Sequence, residues 1–242
     1  MSKKKSAAVA PWQVTADMFL SELEADALLE YVRDCERTDA VESRVRATVD
    51  RLIVELLLFS GLRNSELCHL RVVDTTIGHG QSAVQVSGTP KQDRLVFIPQ
   101  ALSDRIVHFV NDVRPECTPE RMSPNDVSQP LILNERGRPY DRTALYRRVV
   151  RILSEAGLED RASVQLLRHT YGFLAYKRTG GNLLFVQRQL GHAHPMVTAV
   201  YAQFVEFSYP DLANHVGGEK QIVMRTIKES PVKSSRKKGT KR

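Results

Sequence analysis

The sequence predicts a mostly α-helical domain with a small antiparallel β-sheet, an α+β arrangement. Three observations carry that expectation. Val45, Val49, Leu52, Ile53, Leu56, Leu57 and Phe59 recur at helical spacing and run to Gly61, a favourable helix stop. Residues 83–88 and 94–98 are short runs of β-forming side chains on either side of a Gly-Thr-Pro turn, the pattern of a hairpin with a loop of several residues. Ala144, Leu145, Val149, Ile152, Leu153 and Ala156 then repeat a helical apolar face that ends at Gly157.

Taken in order, Ser21 followed by Glu24 reads as a capping box that opens a helix with Leu28, Leu29 and Val32 on its apolar face. The ordered domain is expected to begin near Leu20. After Gly61, a second short helix carries Arg63, Ser65, Glu66, Leu67 and Leu70, and Lys91 sits at the hairpin tip. Four prolines (Pro115, Pro119, Pro124 and Pro130) among polar residues make 111–130 a loop and internal hinge. Arg147, Arg148 and Arg151 share the polar face of the helix that starts at Asp141, a face suited either to solvent or to a DNA groove. Further helices are expected from Val164, from Leu183 and around Tyr201.

Length and charge set the organisation. A chain of 242 residues can bury one full core, and its net charge of +7 belongs to its ends. Residues 220–242 hold nine Lys/Arg against Glu229, and Lys3, Lys4 and Lys5 add to the other end, so the body is slightly acidic. The expected division is a basic N-terminal arm (1–19), a domain (20–217) and a basic, disordered C-terminal tail (218–242), with a short apolar patch at Ile222, Val223 and Met224. Such tails suit solubility or loose attraction to a polyanion, so any specific anion site must gather its arginines locally. Cys35, Cys68 and Cys117 have no metal-ligand spacing and fit free thiols in a reducing cytosol. No segment reads as a signal peptide or a membrane span.

Chemistry concentrates in three segments. The first is Gly61-Leu62-Arg63-Asn64-Ser65-Glu66-Leu67-Cys68-His69-Leu70; the second is Gln165-Leu166-Leu167-Arg168-His169-Thr170; the third runs from Leu190, Gly191 and His192 to Tyr201, nine residues past that histidine. A phenol ionises near pH 10, so a nucleophilic tyrosine needs cations that hold a phosphate and absorb charge at phosphorus. Planar, permanently charged guanidiniums suit that task.

These three boxes, in this order and with a lysine-bearing hairpin between the first two, resemble the tyrosine recombinases, also called the phage integrase family, over roughly residues 20–215. The resemblance implies that family's catalytic-domain architecture and a site-specific DNA recombinase that cuts and rejoins DNA through a 3′-phosphotyrosyl intermediate. Arg63 and Arg168 would grip the non-bridging oxygens of the scissile phosphate, His192 would hydrogen-bond it, and Tyr201 would attack phosphorus. Lys91 would protonate the departing 5′-oxygen, although relatives place that lysine nearer the first Gly of the turn, where this chain has Thr89, and Arg94 is a substitute.

Gln165 departs from the family's usual His; it can donate a hydrogen bond but cannot exchange a proton near pH 7. His169 lies about 100° further round the helix than Arg168 and is expected in a supporting or core contact. Phosphotyrosyl exchange needs no cofactor, and the pair His192 and His194 lacks companion ligands for a metal.

The implied partners are double-stranded DNA, further copies of the chain (a tetramer on paired sites, with residues 204–216 passing to a neighbour) and an accessory DNA-binding protein, in a prokaryotic cytosol or nucleoid. The pattern begins near residue 20, as in short, inversion-type relatives made of a catalytic domain alone. Two alternatives share the fold: a DNA-binding regulator with weakened catalysis, and an activity like that of a type IB topoisomerase.

Overall fold

The computed structural model describes residues 14–87, 93–119, 123, 126–134, 136–218 and 224–226. Helix α1 (Glu22–Thr38) opens with the expected capping box: the Ser21 hydroxyl accepts from the Glu24 amide, and the Glu24 carboxylate accepts from the Ser21 amide at 2.8 Å. Helix α2 (Val41–Ser60) is the spine of the core. Leu52, Ile53, Val54, Leu56, Leu57 and Leu58 are all buried, and such all-round apolarity suits a helix covered on several sides, here by α1 and by the later helices Gln100–His108, Arg142–Glu155 and Val164–Arg178. Its buried acid Glu55 is held by Arg51 at 2.7 Å and Arg105 at 2.7 Å.

Gly61 ends α2 at φ 63°, a conformation that favours glycine, and a Cβ there would lie 2.4 Å from the Tyr171 ring. The chain then turns into α3 (Asn64–His69) and, after a short 3₁₀ turn, α4 (Thr76–His79). The hairpin follows as β1 (Ala83–Val86) and β2 (Arg94–Phe97), antiparallel with Ala83 opposite Phe97 and Val86 opposite Arg94. Its tip, including Lys91, lies outside the described residues.

Helix α5 (Gln100–His108) continues through a π-helical turn, Phe109–Val113, into α6 (Arg114–Cys117). The expected loop over 111–130 is therefore helical as far as Cys117. Pro115 is accommodated because it directly follows the π-helical turn, where the regular helical ladder is already interrupted. Helix α7 (Arg142–Glu155) is capped by Asp141, whose carboxylate accepts from the Ala144 amide at 2.8 Å. Helices α8 (Val164–Arg178), α9 (Leu183–Leu190) and α10 (Pro195–Ala199) follow, and the 3₁₀ turn Val200–Phe204 carries Tyr201. The chain continues through β3 (Val205–Phe207), α11 (Tyr209–Val216) and β4 (Met224–Thr226).

Two expected boundaries shift. Val14 and Phe19 belong to the core, with Phe19 stacked on Phe173 at 4.5 Å and edge-on to Phe204 at 4.8 Å, so the folded unit starts before Leu20. Within the segment expected to be a disordered tail, Met224–Thr226 pairs antiparallel with Val205–Phe207. The mostly α fold with a small antiparallel hairpin is otherwise as the periodicities indicate. No helix among the described residues is long and apolar enough to cross a membrane.

Candidate active site

The C-terminal end of α9 organises the site. Three consecutive carbonyls there each accept a hydrogen bond from a different arginine. Gln189 O takes Arg94 Nε at 2.9 Å, Leu190 O takes Arg168 Nη2 at 2.6 Å, and Gly191 O takes Arg63 Nη2 at 3.2 Å. The last carbonyls of a helix have no partner within it and carry the negative end of its dipole, so they suit cations. The three arginines come from β2, α8 and the start of α3, separated by as many as 105 positions in sequence but joined at this one point.

Arg168 is the most enclosed of them at 5% exposure, and its Nη1 also donates to Gly61 O. Burial, then the neighbouring Arg63 and Arg94 charges, pull its guanidinium down to about 10, so it stays charged at neutral pH.

Glu66 offsets part of this charge. Its carboxylate accepts from Arg63 Nη1 at 2.7 Å, from Arg94 Nη1 and Nη2 at 2.8 and 3.0 Å, and from the Arg63 amide at 2.8 Å, which also caps α3. Burial alone would raise its pKa, but these donors outweigh it and hold the carboxyl at about 2. Three cations against one anion leave an electropositive centre, open to solvent on the Arg63 side, where that side chain is 39% exposed.

His192 lies beside this cluster with Nδ1 2.9 Å from Thr198 Oγ1. Burial, followed by the charges of Arg168 and Arg63, lowers its pKa to about 4 and keeps the ring neutral. The Thr198 contact holds the ring in place, and a neutral imidazole keeps one N–H to donate.

Tyr201 is 1% exposed. Its ring lies on Gly172 so closely that a Cβ there would come within 2.3 Å of Cζ, and its hydroxyl is 3.0 Å from His169 Nδ1. Burial pushes the phenol up to about 12, against an opposing pull from Arg168.

The structure thus brings Arg63, Arg168 and His192 together, with Tyr201 on the adjoining side of α8. Gln165 is exposed, on a cleft of about 420 Å³ that it shares with Asp17, Asp160, Arg161 and His169. Lys91 lies outside the described residues. Arg94, weighed as a proton donor, is instead a clamp on Glu66 and on α9.

The expected arginine face on α7 is not shared by all three residues. Arg147 is exposed, but Arg148 is 7% exposed and bonded to Asp50 at 2.5 Å and to the Tyr140 hydroxyl, while Arg151 meets the same Asp50 at 2.8 Å. Sequence reasoning missed the contact of His169 with Tyr201 and the bridging role of Glu66. An acid three residues after Arg63 was the visible signal for the latter.

The site's titrations predict an acid-sensitive fold. His192 has a folded pKa below its unfolded value near 6.5, and Glu66 one below 4.5. Both therefore contribute stability at neutral pH that is lost as pH falls, between about 6.5 and 4 for His192 and between about 4.5 and 2 for Glu66. Urea midpoints measured from pH 7.5 to 4 are expected to fall continuously from about pH 6.5, and less steeply in His192→Gln.

The phage integrase family model matches residues 19–206. The tyrosine recombinase XerH of Helicobacter pylori is 26% identical over 188 residues, covering 76% of this chain and 48% of that one. Tyrosine recombinase XerD of Staphylococcus aureus is 26% identical over 159 residues, covering 66% and 51%. The chain therefore spans about half the length of the curated relatives it matches.

Among solved structures, XerA recombinase superposes with a TM-score of 0.61 at 23% identity over 89% of this chain and 67% of that one. XerH bound to a palindromic difH substrate, in its post-cleavage complex, gives 0.62 at 23% identity over 84% and 53%. These likenesses show a shared fold, and the family match extends over all three chemical segments. The chain belongs to the phage integrase family.

Proposed function

We propose that the protein is a site-specific DNA recombinase that breaks and rejoins DNA through a 3′-phosphotyrosyl intermediate on Tyr201. The observation that carries this reading is the convergence of Arg63, Arg94 and Arg168 on the end of α9, beside a neutral His192 and the Tyr201 phenol. Arg63 and Arg168 hold the two non-bridging oxygens of the scissile phosphate and stabilise the charge of the five-coordinate transition state, and His192 donates a further hydrogen bond. Tyr201 attacks phosphorus and the 5′-oxygen leaves, taking a proton from Lys91. The energy of the phosphodiester is kept in the adduct, so a 5′-hydroxyl from another strand reseals it without ATP. Because the phenol is buried in the free protein, the scissile phosphate reaches it only when DNA binding opens its surroundings. The reaction takes place between paired sites in a tetramer, helped by an accessory DNA-binding protein, with Arg147 and the basic ends adding non-specific grip.

Gln165 favours a second reading, a DNA-binding regulator with weakened catalysis, because it replaces the residue able to exchange a proton. Nicked suicide duplexes carrying the protein's recombination site separate the two. The enzyme is expected to form a covalent adduct on a denaturing gel, whereas specific binding with no adduct supports the regulator. Relaxation of arbitrary supercoiled plasmids would instead indicate an activity like that of a topoisomerase.

A further inference from the structure

The side chain facing the Tyr201 phenol is His169. Its Nδ1 lies 3.0 Å from the hydroxyl, with the two rings tilted by 56° and their centroids 6.3 Å apart, so the contact is a hydrogen bond at the edge of the imidazole and not a stack. Gln165, three residues before Arg168, is exposed and has no group that exchanges a proton near pH 7. An α8 helix that lacks a histidine at one position thus supplies one four residues later, against the atom that must lose a proton.

We propose that His169 is a catalytic residue that takes the phenolic proton of Tyr201 during strand cleavage and returns it during resealing. The inference rests on the phosphotyrosyl reading above. The bond from Tyr201 Oη to phosphorus forms as the bond from phosphorus to the 5′-oxygen breaks. The phenolic proton passes to His169 Nδ1, and the 5′-oxygen leaves with a proton from the general acid across the site or from water. Resealing runs the same transfers backward, with the imidazolium as the acid.

The surroundings favour an acceptor. Burial, then the adjacent Arg168, lower the pKa of His169 below the ordinary histidine value, so the ring is neutral at pH 7. Arg168 and His192 face it from the site, and Asp17, Asp160 and Arg161 share its cleft. Arg168 limits the lifetime of the imidazolium that the transfer creates, as a residue that must give the proton back requires.

The test is single-turnover cleavage of a nicked suicide duplex by the wild type, His169→Asn, His169→Gln, Tyr201→Phe and, as a control at an exposed histidine outside the site, His108→Asn, across pH 5–9, with DNA binding and thermal melting measured for each. Expected are a loss of about 10²–10⁴-fold in cleavage rate for His169→Asn and His169→Gln with binding retained, and a change of a few-fold at most for His108→Asn. The wild-type rate should rise with pH through a midpoint below 6.5, and that rise should vanish in the His169 variants. A His169 variant that cleaves within about threefold of the wild type, or that keeps the rise, would overturn the proposal. So would a wild-type profile without it, which decides the matter even if both variants fail to fold. A wild type that forms no adduct contradicts the phosphotyrosyl reading itself, and this inference with it.

Discussion

Arg168→Ala is expected to lose about 10²–10³-fold in DNA cleavage and to unfold more readily. The cleavage loss is that of one preorganised donor to a transition-state oxyanion. The stability loss follows from burial, since Gly61 O and Leu190 O would each lose a charged donor in a region closed to water. Leaving a buried acceptor unsatisfied costs about 1–3 kcal/mol, so two suggest roughly 2–6 kcal/mol. Relief of repulsion with Arg63 and Arg94 offsets part of this but not all, because those two retain Glu66. Arg168→Lys keeps the charge but lacks the planar fork that reaches both carbonyls, and is expected to recover little of either loss. Thermal melting and single-turnover cleavage check both effects; a variant as stable and as active as the wild type would remove Arg168 from the site.

Tyr201→Phe is expected to abolish the covalent adduct while leaving DNA binding intact. Here activity and stability should separate. The ring remains packed on Gly172, and only the hydrogen bond to His169 is removed, so stability should fall by about 1 kcal/mol. Tyr201→Ala would in contrast empty a buried aromatic site and cost about 3–5 kcal/mol. Adduct formation, gel-shift affinity and melting temperature measured on the same preparations distinguish loss of the nucleophile from loss of the fold.

Features set by near neighbours in the chain were legible in the sequence. The Ser21 and Glu24 cap, the Gly61 stop and the β1–β2 hairpin depend on residues a few positions apart, and each forms where local chemistry puts it. Arg63, Arg168, His192 and Tyr201 were legible because their spacings match a family's boxes. What was hidden depends on partners distant in sequence. Arg148 looks solvent-facing on a helical wheel until Asp50, 98 positions earlier, packs against it. His169 looks misplaced when only Arg168 is used as the reference for its helix; the hydroxyl of Tyr201, 32 positions later, comes in on its side. Phe19 joins the core because Phe173 and Phe204 offer it rings to pack against, and the carbonyl of the buried Val14 accepts from Gln203, partners that no local pattern near residue 20 records.

The position of the DNA on the protein after cleavage is the most direct test of the proposed chemistry. Trapped adduct from a nicked suicide duplex, digested with nuclease and protease and sequenced by fragmentation mass spectrometry, should carry its residual nucleotide on Tyr201 through a 3′-phosphate. A nucleotide attached to Tyr171, Tyr176, Tyr209 or any other side chain, or joined through its 5′ end, would contradict it.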